Sequence, residues 1–236
     1  MQGSRRRSVF TARLVNTTDG AGMPHVIDDL RRAILSGEEP PGTLIPIDAV
    51  AQFFGVSPIP VREALKVLTG EGLVDHTPHI GYSVAKLRFR EFRELYEVRQ
   101  ALEAAALRAA VPFATAADDE RATEAHRGLG GALEVGNAEG FHSQSRRFHL
   151  ALIGPAGMDR LIHMYESAWN MTEPARPMSR IARQERDRLY DDHERMLAAF
   201  LARDADGLVA ESALHFESLK RAIEVFRDDP EIFKAD

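Results

Sequence analysis

The chain has 236 residues, 44% of them apolar, and a formal net charge of −6, enough for two ordinary domains or one large one. It contains no cysteine, which excludes disulfides and thiolate metal sites and fits a reducing, cytoplasmic setting. No apolar run reaches the ~18 residues that span a bilayer, and no signal-peptide core opens the chain, so no membrane partner is expected.

The charge is uneven. Residues 1–86 carry 9 Lys/Arg and 9 Asp/Glu, against 21 and 27 in the remainder, and Arg5, Arg6 and Arg7 cluster near the start. The less acidic first part is compatible with a nucleic-acid partner, and equally with an ordinary solvated surface. Residues 1–22 are polar and aperiodic and read as a flexible arm. Val26, Ile27, Leu30, Ile34 and Leu35 recur at helical spacing and predict a helix over 24–36, stopped by Gly37. A loop at 38–42 precedes a short helix over 47–54, with Val50, Phe53 and Phe54 on its apolar side and Gly55 as a turn. Ser57 then caps a third helix over 57–69. Pro58 falls at the first helical position, where a missing N–H costs nothing, and Pro60 lies in the same first turn. Val61, Ala64, Leu65 and Leu68 form one stripe; Arg62 and Lys66 lie off it. Two strands fit 73–76 and 82–86, joined by a turn through His79 and Gly81.

From Leu87 onward no strand pattern returns. Helices are expected at 88–110, 116–135, 138–153, 156–171, 175–203 and 205–227, broken by Pro and Gly. The fold expected is mainly α: a winged helix-turn-helix over 23–86 with a β-hairpin wing, then an all-α helical bundle over 87–228 and a tail at 229–236. Helix, short helix, glycine turn, helix and hairpin is the order of a winged helix-turn-helix, whose third helix enters the DNA major groove. Ser57, Ile59, Pro60, Arg62, Lys66, His79 and Gly81 are the candidate DNA-binding residues. Arg62 is the best placed for a base edge, with phosphate contacts setting position. A generic three-helix cluster with a hairpin would share this pattern.

Pro41-Gly42, Val50-Ala51, Gly55-Val56-Ser57, Pro60-Val61-Arg62-Glu63-Ala64-Leu65, Leu68 and Glu71-Gly72-Leu73-Val74 resemble the GntR family of bacterial regulators. The resemblance implies DNA binding. Three cations customary in that family are missing: Pro58 follows the turn serine, Ile47-Asp48 stand early in the second helix, and Ile80 precedes the wing glycine. Each lost phosphate contact is expected to flatten the salt dependence by about one unit of slope.

Glu94-Leu95-Tyr96-Glu97-Val98-Arg99, Leu102-Glu103, Phe148-His149, Leu152, Gly157, His193-Glu194 and His215 resemble the all-helical FCD ligand-binding domain of the FadR subgroup. Many members hold a divalent metal by one Asp and three His. The resemblance implies His149, His193 and His215 as ligands of Zn²⁺ or a similar ion, with Ser145 in the Asp position and Met158 in that of a customary Asn. Three buried, hydrogen-bonded histidines without an ion would fit the same sequence. The remaining histidines, His25, His76, His79, His126, His142 and His163, read as surface or packing residues, His79 with a possible touch on DNA.

The implied effector is a small organic acid, held by the metal and by Arg99 as a bidentate pair. An equally good role for Arg99 is a surface ion pair with Glu103 at i+4. Loss of the Asp also leaves room for an uncharged effector. The function expected is a dimeric, ligand-responsive regulator, and more specifically a repressor, on a pseudo-palindromic operator of double-stranded DNA. Ligand binding would shift the helix at 88–110 and so the spacing of the two reading heads. Two alternatives are a DNA-binding protein whose helical domain is a dimerisation scaffold, and a metal-dependent hydrolase. Against the second, His193-Glu194 lacks the second His of His-Glu-x-x-His, since position 197 is Leu, and no enzyme activity is expected.

Overall fold

The computed structural model describes residues 9–12, 14 and 23–235. The chain divides into two compact units. Unit 1 holds the described residues up to Phe89 together with Asn170–Ala175 and the segment from Asp228; unit 2 holds Arg90–Trp169 and Arg176–Arg227.

Unit 1 opens with helix α1 (Met23–Leu35), then strand β1 (Leu44–Ile45), helices α2 (Ile47–Phe54) and α3 (Pro58–Gly70), and strands β2 (Val74–Thr77) and β3 (Gly81–Val84). The strands form one antiparallel sheet in the order β1-β3-β2, with His76 opposite Tyr82 and Leu44 opposite Ser83. The expected wing is therefore present, and β1 extends it. Two residues are too few to show alternation, so β1 left no periodic signal. The apolar stripes meet as the spacing requires. Val26, Leu30 and Ile34 of α1, Val50 and Phe54 of α2, and Val61, Leu65 and Leu68 of α3 share one core with Val74, Tyr82 and Val84. Gly55 closes α2 at φ 65°, a left-handed turn that glycine adopts without cost. A bidentate ion pair ties α1 to the residue that caps α3: Arg31 Nε and Nη2 donate to the two oxygens of Glu71 at 2.9 and 2.6 Å.

Two segments differ from expectation. The expected arm lies largely outside the described residues, as do Arg5, Arg6 and Arg7. Within it, Val9–Ala12 form a 3-10 turn, and Phe10 and Leu14 are buried in the core of unit 1. The expected tail is also packed. Ile232 and Phe233 are buried, Phe233 meets Phe89 edge to face at 5.3 Å, and the Lys234 amide donates to the Leu87 carbonyl at 2.9 Å. Two adjacent apolar residues bury well but carry no period that sequence reading can detect.

Unit 2 is helical. It contains α4 (Phe89–Ala110) from Arg90, α5 (Ala116–Glu134), α6 (Ala138–Ile153), α7 (Asp159–Thr172) up to Trp169, α8 (Pro177–Arg180), α9 (Arg183–Leu201) and α10 (Ala205–Ile223). Asn137 and Asp204 cap α6 and α10, accepting the amides of Gly140 and Gly207 at 2.9 Å each. The helix expected over 175–203 is broken. Arg176, ahead of Pro177, is left-handed at φ 45°, and Ile181 is extended, so α8 and α9 are separate. The helix expected from 156 starts at Asp159, after a 3-10 turn at Gly154–Ala156 that contains Pro155.

Candidate metal centre and nucleic-acid interface

Helical spacing places one histidine on the buried stripe of each of three helices. On α6, Ser145, Phe148, His149 and Leu152 face inward; on α9, Leu189, His193, Met196 and Phe200; on α10, Leu208, Ser212, His215 and Leu219. One ring nitrogen from each of His149, His193 and His215 lies within 4.8 Å of the other two. The Nε2 atoms of His149 and His193 face each other at 3.2 Å. All three rings are about 1% exposed. Burial first, and the neighbouring imidazoles after it, push His193 well below the ordinary histidine range; burial also lowers His215. Imidazole nitrogens converging on one point are the donors a divalent ion requires, each neutral once it ligates. Nitrogen ligands of one tetrahedral Zn²⁺ lie about 3.3 Å apart, given bonds of about 2.0–2.1 Å. His215 Nε2 has no hydrogen-bond partner among the described residues. The donor set, the spacing and this orphaned nitrogen fit such an ion.

Ser145 reaches the cluster, its Oγ 3.4 Å from His193 Nε2, but brings no charge. The charge lies behind the rings. Glu103 of α4 is fully buried and accepts from His149 Nδ1 at 3.0 Å, from Tyr165 Oη at 2.5 Å and from Ser212 Oγ at 2.8 Å. Burial raises its carboxyl, but the charge of His149 and these three hydrogen bonds outweigh that and bring it down to about 2. Asp192 Oδ2 stands 3.6 Å from His215 Nδ1, an electrostatic contact longer than a hydrogen bond. Sequence reading assigned Glu103 no part in the cluster. Its one signal was a carboxylate on the inner stripe of α4, where Ala106, Leu107 and Ala110 follow.

Arg99 is 3% exposed, which overturns the surface ion pair with Glu103. Its guanidinium sits among aromatic rings, with Cζ 3.5 Å from the centre of the Trp169 ring and 5.0 Å from that of Tyr96. It is hydrogen-bonded with Tyr165, which donates onward to Glu103. Arg99 Nε has no partner among the described residues. A buried cation with a spare donor suits an anion. Met158 precedes α7 and is 39% exposed; Glu194, one residue beyond His193, is exposed while His193 is buried.

In unit 1, α3 turns its apolar stripe inward and leaves Ser57, Ile59, Arg62 and Lys66 exposed, with Pro60 half-buried. Ile59 is 67% exposed. Ser57 occupies the cap position but makes no capping bond. The usual donor to such a cap, the backbone N–H three residues on, is missing because that residue is Pro60, so the hydroxyl is left for another partner. Lys66 pairs with Glu63 at 2.8 Å, whereas Arg62 pairs with no carboxylate among the described residues. His79 and Ile80 stand exposed at the wing tip, where His79 has φ 66° and Gly81 φ 120°.

Comparison with known proteins agrees with both halves. Residues 24–84 match the model of bacterial regulatory proteins of the gntR family, and residues 94–218 match the FCD domain. The chain is 31% identical over 202 residues to the HTH-type transcriptional regulator LutR of Bacillus subtilis, covering 77% of this chain and 90% of that protein. It is 25% identical over 204 residues to the gluconate operon transcriptional repressor of Bacillus licheniformis, covering 83% and 82%. The solved structure of McbR/YncC from E. coli aligns with TM-score 0.75 at 25% identity, covering 87% of this chain and 98% of that one.

Proposed function

The chain belongs to the GntR family of bacterial transcriptional regulators with an FCD domain, and from that premise we propose that it is a metabolite-responsive repressor acting as a homodimer on a pseudo-palindromic DNA operator. Residues 23–86 form the reading domain and 87–228 the sensing and dimerisation domain. The repressor role draws on the likeness to the gluconate operon repressor. Ser57, Ile59, Pro60, Arg62 and Lys66 on α3, with His79 and Gly81 in the wing, meet the DNA. Arg62 is the specifying residue, because its side chain is exposed and pairs with no carboxylate among the described residues.

His149, His193 and His215 hold a divalent ion, which supplies a Lewis-acidic position for a ligand oxygen. Arg99, with its spare Nε, and Ser145 complete the site and select a small carboxylate. The observation that carries this reading is the convergence of three buried imidazoles within 4.8 Å, in the same unit as a buried arginine whose Nε has no partner among the described residues. Differential affinity of the carboxylate for two dimer arrangements then sets DNA affinity.

The test combines metal analysis of the purified protein with thermal shifts against mono- and dicarboxylates, for wild type and Arg99→Lys. Bound divalent metal and a shift with at least one acid, lost in Arg99→Lys, are expected, since lysine cannot reproduce the planar fork. The same acid should change affinity for duplexes selected from a random library. A protein that takes up no metal and responds to no acid would leave the helical domain as a dimerisation scaffold.

A further inference from the structure

We propose that Glu103 is the positioning residue that makes His149 a metal ligand, and that it supplies the buried negative charge that Ser145 does not. The inference rests on the metal reading above and goes beyond its three ligands.

Glu103 lies at the centre of the buried polar groups of unit 2. Tyr165 and Ser212 are hydroxyl donors, one to each carboxylate oxygen, and both oxygens also face His149 Nδ1, at 3.1 and 3.0 Å. A carboxylate that already receives two hydroxyl protons acts as an acceptor, so the proton between it and the imidazole belongs to His149 Nδ1. That fixes the ring as the Nδ1–H tautomer. The lone pair is left on Nε2, the atom facing His193 Nε2 at 3.2 Å. Tautomer and ring orientation are thus both set by one side chain from a different helix, the arrangement that carboxylates behind metal-bound histidines provide.

Charge gives the second half of the argument. Imidazoles bind a metal in their neutral form, so the three bring no charge to offset a divalent ion, and the Ser145 hydroxyl, 3.4 Å from His193 Nε2, brings none either. An uncompensated divalent charge in a buried site is costly. Glu103 is fully buried in contact with the cluster. Asp192 contributes behind His215, although it also pairs with Arg195. With the counter-charge placed behind the imidazoles, the ligand position that an aspartate would fill stays open for an effector carboxylate.

Glu103→Gln tests this, because glutamine keeps the size and an acceptor oxygen but removes the charge. Zn²⁺ affinity, measured by chelator competition, should fall about 10- to 100-fold, with the fold intact by circular dichroism and the visible bands of the Co²⁺-loaded protein altered. A second measurement needs no variant. In wild-type protein carrying ¹⁵N-histidine and ¹¹³Cd²⁺, His149 should couple to the metal through Nε2 and keep its proton on Nδ1. A folded Glu103→Gln protein with wild-type affinity would overturn the proposal, and so would coordination of His149 through Nδ1, which decides the matter even where the variant does not fold. Wild-type protein that binds neither metal would overturn the metal reading itself and this inference with it.

Discussion

A single carboxylate can act through one hydrogen-bonded neighbour or through a whole site, and this chain shows both. Asp118 opens α5 by accepting the backbone N–H of Thr115 at 2.8 Å and its hydroxyl at 2.6 Å, and it also pairs with Arg121. The bonds from Thr115 hold its carboxyl below the ordinary aspartate range. A depressed carboxyl stabilises the fold above its unfolded value and loses that contribution as pH falls through the folded one. Asp118→Asn should therefore cost about 1 kcal/mol near neutral pH, the usual size of a cap. In urea titrations the gap to wild type should narrow as pH falls below about 4, where unfolded aspartate protonates, and close once pH is below the lower folded value of Asp118; a gap that persists with both states protonated would deny the charge its role. Glu103 differs in kind. Its partners come from three other helices, α6, α7 and α10, so its substitution reaches the histidine cluster rather than one helix end.

At the scale of elements, the reading helix and its supports separate cleanly. The inward face of α3 is apolar and the outward face carries Arg62. Arg62→Ala should weaken binding to a selected operator by about 1–3 kcal/mol and relax preference at one base pair, leaving thermal stability unchanged. Equal losses on every sequence, seen by fluorescence anisotropy, would instead make Arg62 a phosphate contact. The turn after α3 is the sensitive one. Gly72 has φ 74°, and a Cβ there would meet Met171 Sδ at 3.2 Å. Gly72→Ala combines left-handed strain with a tight contact, so it should destabilise the protein by about 1–2 kcal/mol in denaturant unfolding. A neutral effect would mean that Met171 and the backbone both yield.

The molecule as a whole carries the residues proposed to read DNA in unit 1 and its histidine cluster in unit 2. A ligand that binds only the folded form stabilises by mass action, about 2.7 kcal/mol at 100-fold excess over Kd. Calorimetry with Zn²⁺ should therefore raise the melting of unit 2, and a chelator should reverse it; a shift confined to unit 1 would contradict the assignment. Among the described residues no helix is long and apolar enough to cross a membrane.

Periodicity and turn chemistry determined much by themselves. The stripes of α1 and α3, the glycine turn at Gly55, the hairpin and the succession of helices after residue 87 were all legible, because each is a local pattern with its own spacing. The three histidines were legible too, through motif resemblance, and α6, α9 and α10 bring them together. Tertiary structure decided what depends on contact between distant segments. Glu103 and Arg99 sit one turn apart on α4, and an exposed ion pair was one of two equally good roles for Arg99, beside effector binding. The two are buried instead, one under His149 and the other against Trp169, because the partners that take them up lie on other helices. The burial of Phe10, Leu14, Ile232 and Phe233 was likewise invisible, since segments this short carry no period and reveal their role only when a core closes over them.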